Sequence, residues 1–202
     1  MLGRRLKQEI AIPVTAKIRL GWDNNSINFM EVISELEKAG VDMIAIHART
    51  RKEMYLGQPH YELLKDLRSK MSVPLVVSGN IYTLDDAIRV KELTGAEGIM
   101  VARGGVGNPW LVKQIDTYFR TGERLPDVSI IEKVDQCLSL ADHYIAEKGE
   151  YTAMRIYRGI ASKFFSGFKN VKFYKNRLST ELVDRESLVR ILNDVKEEIQ
   201  NQ

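Results

Sequence analysis

The residues best suited to bind a charged group lie in one stretch, GAEGIMVARGGVGNPW at 95–110. An apolar run from Gly98 to Ala102 predicts a buried strand, and three glycines, Gly104, Gly105 and Gly107, follow it. An Asn-Pro pair then suits a helix start, because proline fixes φ and its missing N–H needs no partner there. Such a turn lets backbone N–H groups approach an anion at the positive end of a helix dipole. The pattern predicts a phosphate site, although a plain tight connection is the alternative because no GK[ST] follows.

Polar or charged side chains recur where four predicted strands end. In parallel α/β architectures this carboxyl edge carries the ligand site. The residues concerned are Lys17 and Arg19, His47 and Arg49, Ser78 and Asn80, and Arg103. The alternative explanations are that the lysine is solvated, that the histidine has a structural role and that the loop arginines are solvated.

A second set of candidates lies between residues 151 and 180, which hold seven Lys or Arg, seven aromatic residues and no Asp or Glu. Basic side chains attract phosphates and aromatic rings stack on splayed bases, so the combination suits RNA. Core packing also explains several aromatics, and we expect most of the phenylalanines there to be core. The aromatic residues are Tyr151, Tyr157, Phe164, Phe165, Phe168, Phe173 and Tyr174.

The composition is ordinary for a globular protein, with 202 residues, 44% hydrophobic, 28% charged and a net charge of +3. The first residues lack the apolar region of a signal peptide, and no run approaches the roughly 20 apolar residues of a membrane span. We therefore expect a cytoplasmic protein. The single cysteine, Cys137, excludes an internal disulfide and a cysteine-cluster metal site.

The order of the elements predicts how these residues are positioned. Strands beginning near residues 14, 41, 73 and 98 are each followed by a helical segment, including one from about 61 to 71, which indicates parallel strands joined by crossovers. Three helices follow Pro126. We predict an α/β fold with a partial (β/α) barrel of the TIM type, about four βα units, over residues 1–122. A C-terminal α-helical domain occupies residues 123–202.

Four separated motifs resemble those of the tRNA-dihydrouridine synthases, in the same order. They are PVTAKIRLGWDNNS at 13–26, IHARTR at 46–51, VPLVVSGNI at 73–81 and GIMVARGGVGNPW at 98–110. The resemblance implies a TIM barrel with a C-terminal helical domain that binds tRNA. It also implies reduction of the C5–C6 bond of uridines in tRNA by FMN, with NADPH as the reductant and a cysteine acid that protonates C5.

The resemblance assigns roles to individual residues. The implied FMN-binding residues are Lys17, His47, Ser78, Gly79, Asn80, Ala102, Arg103 and Gly104. The RNA-binding residues, by contrast, are expected from their charge and position, and they are Arg49, Arg51, Arg155, Arg158, Lys163, Lys169, Lys172 and Lys175. Three of the FMN positions depart from the family pattern, because Ser78 and Asn80 replace Asn and Asp, and Ala102 replaces Gly.

The family places its catalytic cysteine in an Asn-x-Gly-Cys-Pro motif within a first half-barrel, and this sequence starts where that half ends. Cys137 lies in an amphipathic segment and does not match, so no catalytic residue is assigned. We expect a fragment with little activity alone, which either forms a homo-oligomer through its exposed half-barrel face or rearranges its strands. Two other hypotheses stay open: a non-catalytic RNA-binding module, and another FMN- or phosphate-binding barrel oxidoreductase.

Overall fold

The computed structural model describes residues 2–165 and 170–200 and divides into two compact units, one up to Gly104 and one from Gly105. The first unit is α/β, and its four strands form one sheet in the order β1-β2-β3-β4 with every pair parallel. This arrangement confirms the predicted α/β fold with a partial barrel of about four units. The elements are α1 (Leu2–Glu9), β1 (Thr15–Arg19), α2 (Phe29–Lys38), β2 (Met43–His47), β3 (Leu75–Ser78), α3 (Leu84–Thr94) and β4 (Gly98–Met100).

The strand register brings the carboxyl ends of the four strands into one row. Arg19 on β1 lies opposite His47 on β2, and His47 lies opposite Ser78 on β3. Ser78 in turn lies opposite Met100 on β4. Because these are the last residues of their strands, whatever follows each strand starts from the same edge of the sheet.

The two central strands form the core of the first unit. Ile44, Ile46, Leu75 and Val77 are fully buried, as expected for parallel strands that are covered on both faces. The outer strands are less covered: β4 is half-buried throughout, and β1 exposes Lys17. The central strands therefore give a rigid base for the loops at the carboxyl edge.

The predicted helix from 61 to 71 is wrong. Two short 3₁₀ helices, Tyr61–Leu64 and Leu67–Lys70, occupy this region. Lys65 between them is extended and Asp66 has a left-handed backbone with φ of 52°, so a continuous α-helix cannot form. The N–H of Asp66 instead donates to the carbonyl of Leu93 at 3.0 Å.

The second unit consists of helices around a separate apolar core. Tyr157, Phe164, Phe165 and Leu178 are among its buried residues. The described residues after Met100 contain no strand, in agreement with the predicted C-terminal helical part, but one helix of this unit, at 171–180, was not predicted from the sequence. The helices are α4 (Trp110–Thr121), α5 (Ile130–Lys148), α6 (Glu150–Ala161), α7 (Val171–Thr180) and α8 (Arg185–Gln200).

The division at Gly104 differs from the predicted boundary at 122, because α4 groups with the helical unit. Within the described part of the chain, none of the helices has the length and apolar character needed to cross a bilayer.

The start of α3 offers a local test of stability. The side chain of Thr83 accepts a hydrogen bond from the N–H of Asp86 at 3.1 Å, and Asp86 accepts from the N–H of Thr83. We expect Thr83→Ala to lower the free energy of unfolding of the first unit by about 1 kcal/mol, because it leaves a helix N–H without its cap. Urea unfolding measures this change. Thr152→Ala, at an exposed position inside α6, is the control and should change stability by less than about 0.5 kcal/mol.

Candidate functional site

A cavity of about 230 Å³ lies at the carboxyl edge of the four strands. Arg19, Tyr55 and Tyr82 are among its lining residues. All eight residues predicted to bind the cofactor also line it: Lys17 on β1, His47 on β2, Ser78, Gly79 and Asn80 at the end of β3, and Ala102, Arg103 and Gly104 after β4. The in-register strand ends therefore bring together residues that are far apart in the sequence.

The cavity is strongly cationic. Lys17, Arg19 and Arg103 line it, and none of the described residues that line it is Asp or Glu. Partial burial and the charge of Arg19 lower the pKa of Lys17. Positive groups that are held close together without carboxylates favour an anionic ligand, because such a ligand removes their mutual repulsion.

Asn80 joins two of the arginines around the cavity. Its side-chain oxygen accepts from Nη2 of Arg103 at 2.8 Å and from Nη1 of Arg49 at 3.3 Å. Its own backbone has φ of 41°, in the left-handed region that Asn tolerates better than most residues. This turn places the amide between the loops that follow β2 and β4.

The guanidinium of Arg103 lies between two aromatic rings. Its central carbon is 4.6 Å from the ring centre of Tyr55 and 5.8 Å from that of Tyr82. Contacts of this type stabilise a cation over the ring face. Together with Asn80, the two tyrosines hold Arg103 at the cavity.

Two glycines allow the backbone to lie close to neighbouring groups. Gly79 has φ of 127°, and a Cβ there would lie 3.0 Å from Cδ2 of His47. A Cβ on Gly104 would lie 1.9 Å from the carbonyl oxygen of Ile81, which no side chain allows. Glycine is thus required at both positions for this geometry.

Tyr61 also contacts this turn. Its hydroxyl donates to the carbonyl of Gly79, and burial raises the pKa of Tyr61 to about 12.

His47 is neutral in this environment. Its side chain is buried, and Arg19, Lys17, Arg49 and Arg103 surround it with positive charge. Burial, followed by these charges, lowers the pKa of His47 to about 4. At neutral pH the imidazole therefore contributes one N–H donor and one nitrogen acceptor, and no charge.

Arg49 differs from a surface arginine. Its side chain is fully buried, and Nε and Nη2 donate to the carbonyls of Leu56 and Gly57 at 3.1 and 2.5 Å. A guanidinium that is closed off from solvent offers no surface to an RNA phosphate, so this burial lends no support to the RNA contact predicted at Arg49. Arg51, two residues later, is exposed.

The basic residues predicted for RNA in the helical unit differ in exposure. Arg155, Lys163 and Lys172 are exposed, whereas Lys175 is half-buried. Arg158 is half-buried and its Nε donates to the carbonyl of Leu182 at 2.7 Å. Lys169 lies outside the described residues.

The aromatic residues of the same segment separate into core and surface. Phe164 and Phe165 are buried, in agreement with the expected core role, while Phe168 lies outside the described residues. Phe173 is 58% exposed and Tyr151 is 71% exposed. The guanidinium carbon of Arg155 lies 5.4 Å from the ring centre of Tyr151, so a basic and an aromatic group share this surface. The remaining two, Tyr157 and Tyr174, are buried.

Comparison with known proteins assigns the family. A family model described as dihydrouridine synthase (Dus) matches residues 3–201. The chain belongs to the dihydrouridine synthase family. A probable tRNA-dihydrouridine synthase of Rickettsia conorii is 32% identical over 196 residues, which are 94% of this chain and 58% of that protein. A probable tRNA-dihydrouridine synthase 1 of Synechocystis sp. is 32% identical over 188 residues, 93% of this chain and 50% of that protein.

This dihydrouridine synthase chain spans little more than half the length of these relatives. Among solved structures, a mandelate oxidase is 13% identical and covers 98% of this chain and 66% of its own, with a TM-score of 0.35. A likeness this distant carries no argument about fold or function.

Two residues that line the cavity were missed by sequence reasoning. Tyr55 lies in the polar loop after β2, and Tyr82 precedes α3. Neither tyrosine belongs to a periodic pattern or to one of the four motifs, so only the folded loops reveal that both rings meet Arg103. Arg19 was noted at the strand edge but was not assigned to the cofactor.

The lowered pKa of His47 predicts a pH dependence. Between its ordinary pKa of about 6.5 and its folded value of about 4, the unfolded chain binds a proton that the folded chain does not. Folding stability therefore falls as the pH drops through this window, by up to about 2 kcal/mol between pH 7 and pH 5. NMR should show His47 titrating near pH 4. In urea unfolding, the free energy of unfolding of His47→Gln should lose this part of its pH dependence. An unchanged pH dependence would contradict the lowered pKa of His47.

Proposed function

We propose that this chain forms the flavin-binding rim and the RNA-facing helical unit of a tRNA-dihydrouridine synthase. The reaction is FMN-dependent reduction of the C5–C6 bond of uridines in tRNA, with NADPH as the reductant. The observation that carries the proposal is the cavity itself, because all eight predicted cofactor residues line it and its charged side chains are cations. Family membership and the names of the relatives support the same reaction.

The residues present fit FMN. Arg103 has fixed contacts with Asn80 and two aromatic rings, and the adjoining Gly104 allows only a bare backbone. Backbone N–H groups together with a guanidinium make a suitable phosphate site. Ala102, which stands where the family has glycine, also lines the cavity and is exposed.

The remaining side chains suit the ring system. A bound FMN supplies the hydride for C6 of uracil once a nicotinamide has reduced it. Lys17 would stabilise negative charge that develops on the ring, since its cationic head lies at the same edge. His47, neutral at physiological pH, would contribute a hydrogen bond without adding to the positive charge.

The binding of FMN is tested by removing the charge of Arg103. We expect Arg103→Gln to weaken FMN binding about tenfold or more, because a charge-assisted hydrogen bond contributes roughly 1.5–3 kcal/mol. Flavin fluorescence titration measures the dissociation constant. Arg120→Gln, at a 75% exposed side chain on α4, is the matched control and should bind as the unmodified chain does. An unmodified chain that binds no FMN would contradict the cofactor assignment.

The single cysteine of the chain does not suit the role of the acid that protonates C5. Cys137 is its single cysteine, and burial raises the pKa of this thiol to about 12. The hydroxyl of Tyr157 donates to the carbonyl of Cys137, so the thiol belongs to the helical core. A buried thiol with a raised pKa does not protonate a substrate at neutral pH.

We therefore expect the purified chain with FMN, NADPH and unmodified tRNA to form no dihydrouridine above background. Mass spectrometry of digested tRNA measures the product. A reaction that proceeds at a measurable rate with this polypeptide alone would show that another group supplies the proton.

Binding of tRNA is tested through its salt dependence. Each phosphate contact that is lost should reduce the slope of log affinity against log salt by about 1. We expect the double variant Arg155→Gln/Lys172→Gln to bind tRNA more weakly and with a slope smaller by about 2. Lys38→Gln, at a 63% exposed side chain of α2, is the control.

The two binding experiments also separate the alternatives. A chain that binds tRNA but not FMN fits a non-catalytic RNA-binding module. A chain that binds FMN but not tRNA fits another barrel oxidoreductase.

A further inference from the structure

We propose that Arg49 is a positioning residue that fixes the tautomer of His47, with the ring proton on Nδ1. Arg49 was expected to contact RNA, but its burial requires an internal explanation. The part of this proposal in which a bound ligand accepts the Nδ1 proton of His47 rests on the proposed flavin site. The assignment of the tautomer itself does not.

Among the residues that the structure describes, the guanidinium of Arg49 bonds only to neutral acceptors. Its donors reach the carbonyls of Leu56 and Gly57 and the side-chain oxygen of Asn80. Burial, and then the charge of Arg103, lowers the pKa of Arg49. Burial of a cation without a bonded carboxylate costs free energy. The role of Arg49 is therefore to position the groups to which it donates hydrogen bonds.

One of those groups is the imidazole of His47. Nη1 of Arg49 lies 3.4 Å from Nε2 of His47, within hydrogen-bond reach. A guanidinium carries donors and no acceptor, so Nε2 has to accept. A neutral imidazole carries one N–H, and this proton must then lie on Nδ1.

The surroundings keep the ring in place. A Cβ on Gly79 would lie 3.3 Å from Nε2, so the backbone of β3's end packs directly against this nitrogen. The positive charges of Lys17, Arg19 and Arg103 disfavour a second proton on the ring. The imidazole is therefore held with a single donor, Nδ1–H.

The same guanidinium links two loops of the cavity. It binds Leu56 and Gly57 directly after Tyr55, and it binds Asn80, which in turn holds Arg103. If FMN occupies the cavity as proposed, Nδ1–H is the donor that His47 offers to an acceptor atom of the flavin ring system. Arg49 then acts on the ligand through His47 and Asn80, without touching it.

The tautomer is measured by ¹⁵N NMR of the full chain with ¹⁵N-labelled histidine, free of cofactor and RNA. The chain has three histidines, and the signals of His47 are assigned by their loss in His47→Gln. We expect a protonated Nδ1 and an unprotonated Nε2 at neutral pH. A His47 ring with its proton on Nε2 in the unmodified chain overturns the proposal.

Variants of Arg49 test the cause. We expect Arg49→Met to move His47 toward the Nε2–H form, and Arg49→Lys to do so in part, because a lysine cannot serve all these acceptors at once. Lys52→Met removes one charge from the same loop at a 71% exposed side chain and should leave the tautomer unchanged. Retention of Nδ1–H in folded Arg49→Met and Arg49→Lys overturns the proposal.

If Arg49→Met does not fold, the unmodified chain and Arg49→Lys still decide the question. These NMR measurements contain no FMN, so they test the tautomer even if the flavin assignment is wrong. If the tautomer is wrong, FMN binding is still tested separately by fluorescence titration.

Discussion

The first unit is constrained above all by positive charge gathered at one edge of a parallel sheet. Lys17, Arg19 and Arg103 line a cavity of about 230 Å³ in which none of the described lining residues is a carboxylate. Arg49, behind them, is fully buried. Repulsion within such a cluster lowers the stability of the fold unless an anion neutralises it. The cluster therefore favours the binding of a negatively charged ligand. The chain belongs to the dihydrouridine synthase family, and we propose a flavin as this ligand.

The rest of the first unit can be understood as support for this cluster. The register places Arg19, His47, Ser78 and Met100 in one row, and that row fixes where each loop begins. The loops are then joined through Asn80, and neutral acceptors hold the arginines without cancelling their charge. Ion pairs elsewhere, such as Arg68 with Glu97, lie outside the residues that line the cavity.

Much of the site was predictable because it depends on strand order and register. Parallel strands must end at the same edge, so Lys17, His47, Ser78 and Arg103 could be brought together from sequence alone. The failures have local causes: the left-handed Asp66 interrupts the predicted helix. The roles of Arg49, Tyr55 and Tyr82 depend on loop conformation, which no periodic pattern encodes. The helix at 171–180 was not predicted, although Val171, Tyr174 and Leu178 have the i, i+3, i+7 spacing of a helix.

The central claim is that a flavin occupies the cationic cavity at the carboxyl edge of the sheet. A crystal structure of the chain grown with FMN tests this claim most directly. We expect the phosphate within hydrogen-bond distance of Arg103 and of the backbone beside Gly104, with the ring system toward Lys17 and His47. A flavin bound at another surface, with this cavity holding none of it, would contradict this assignment.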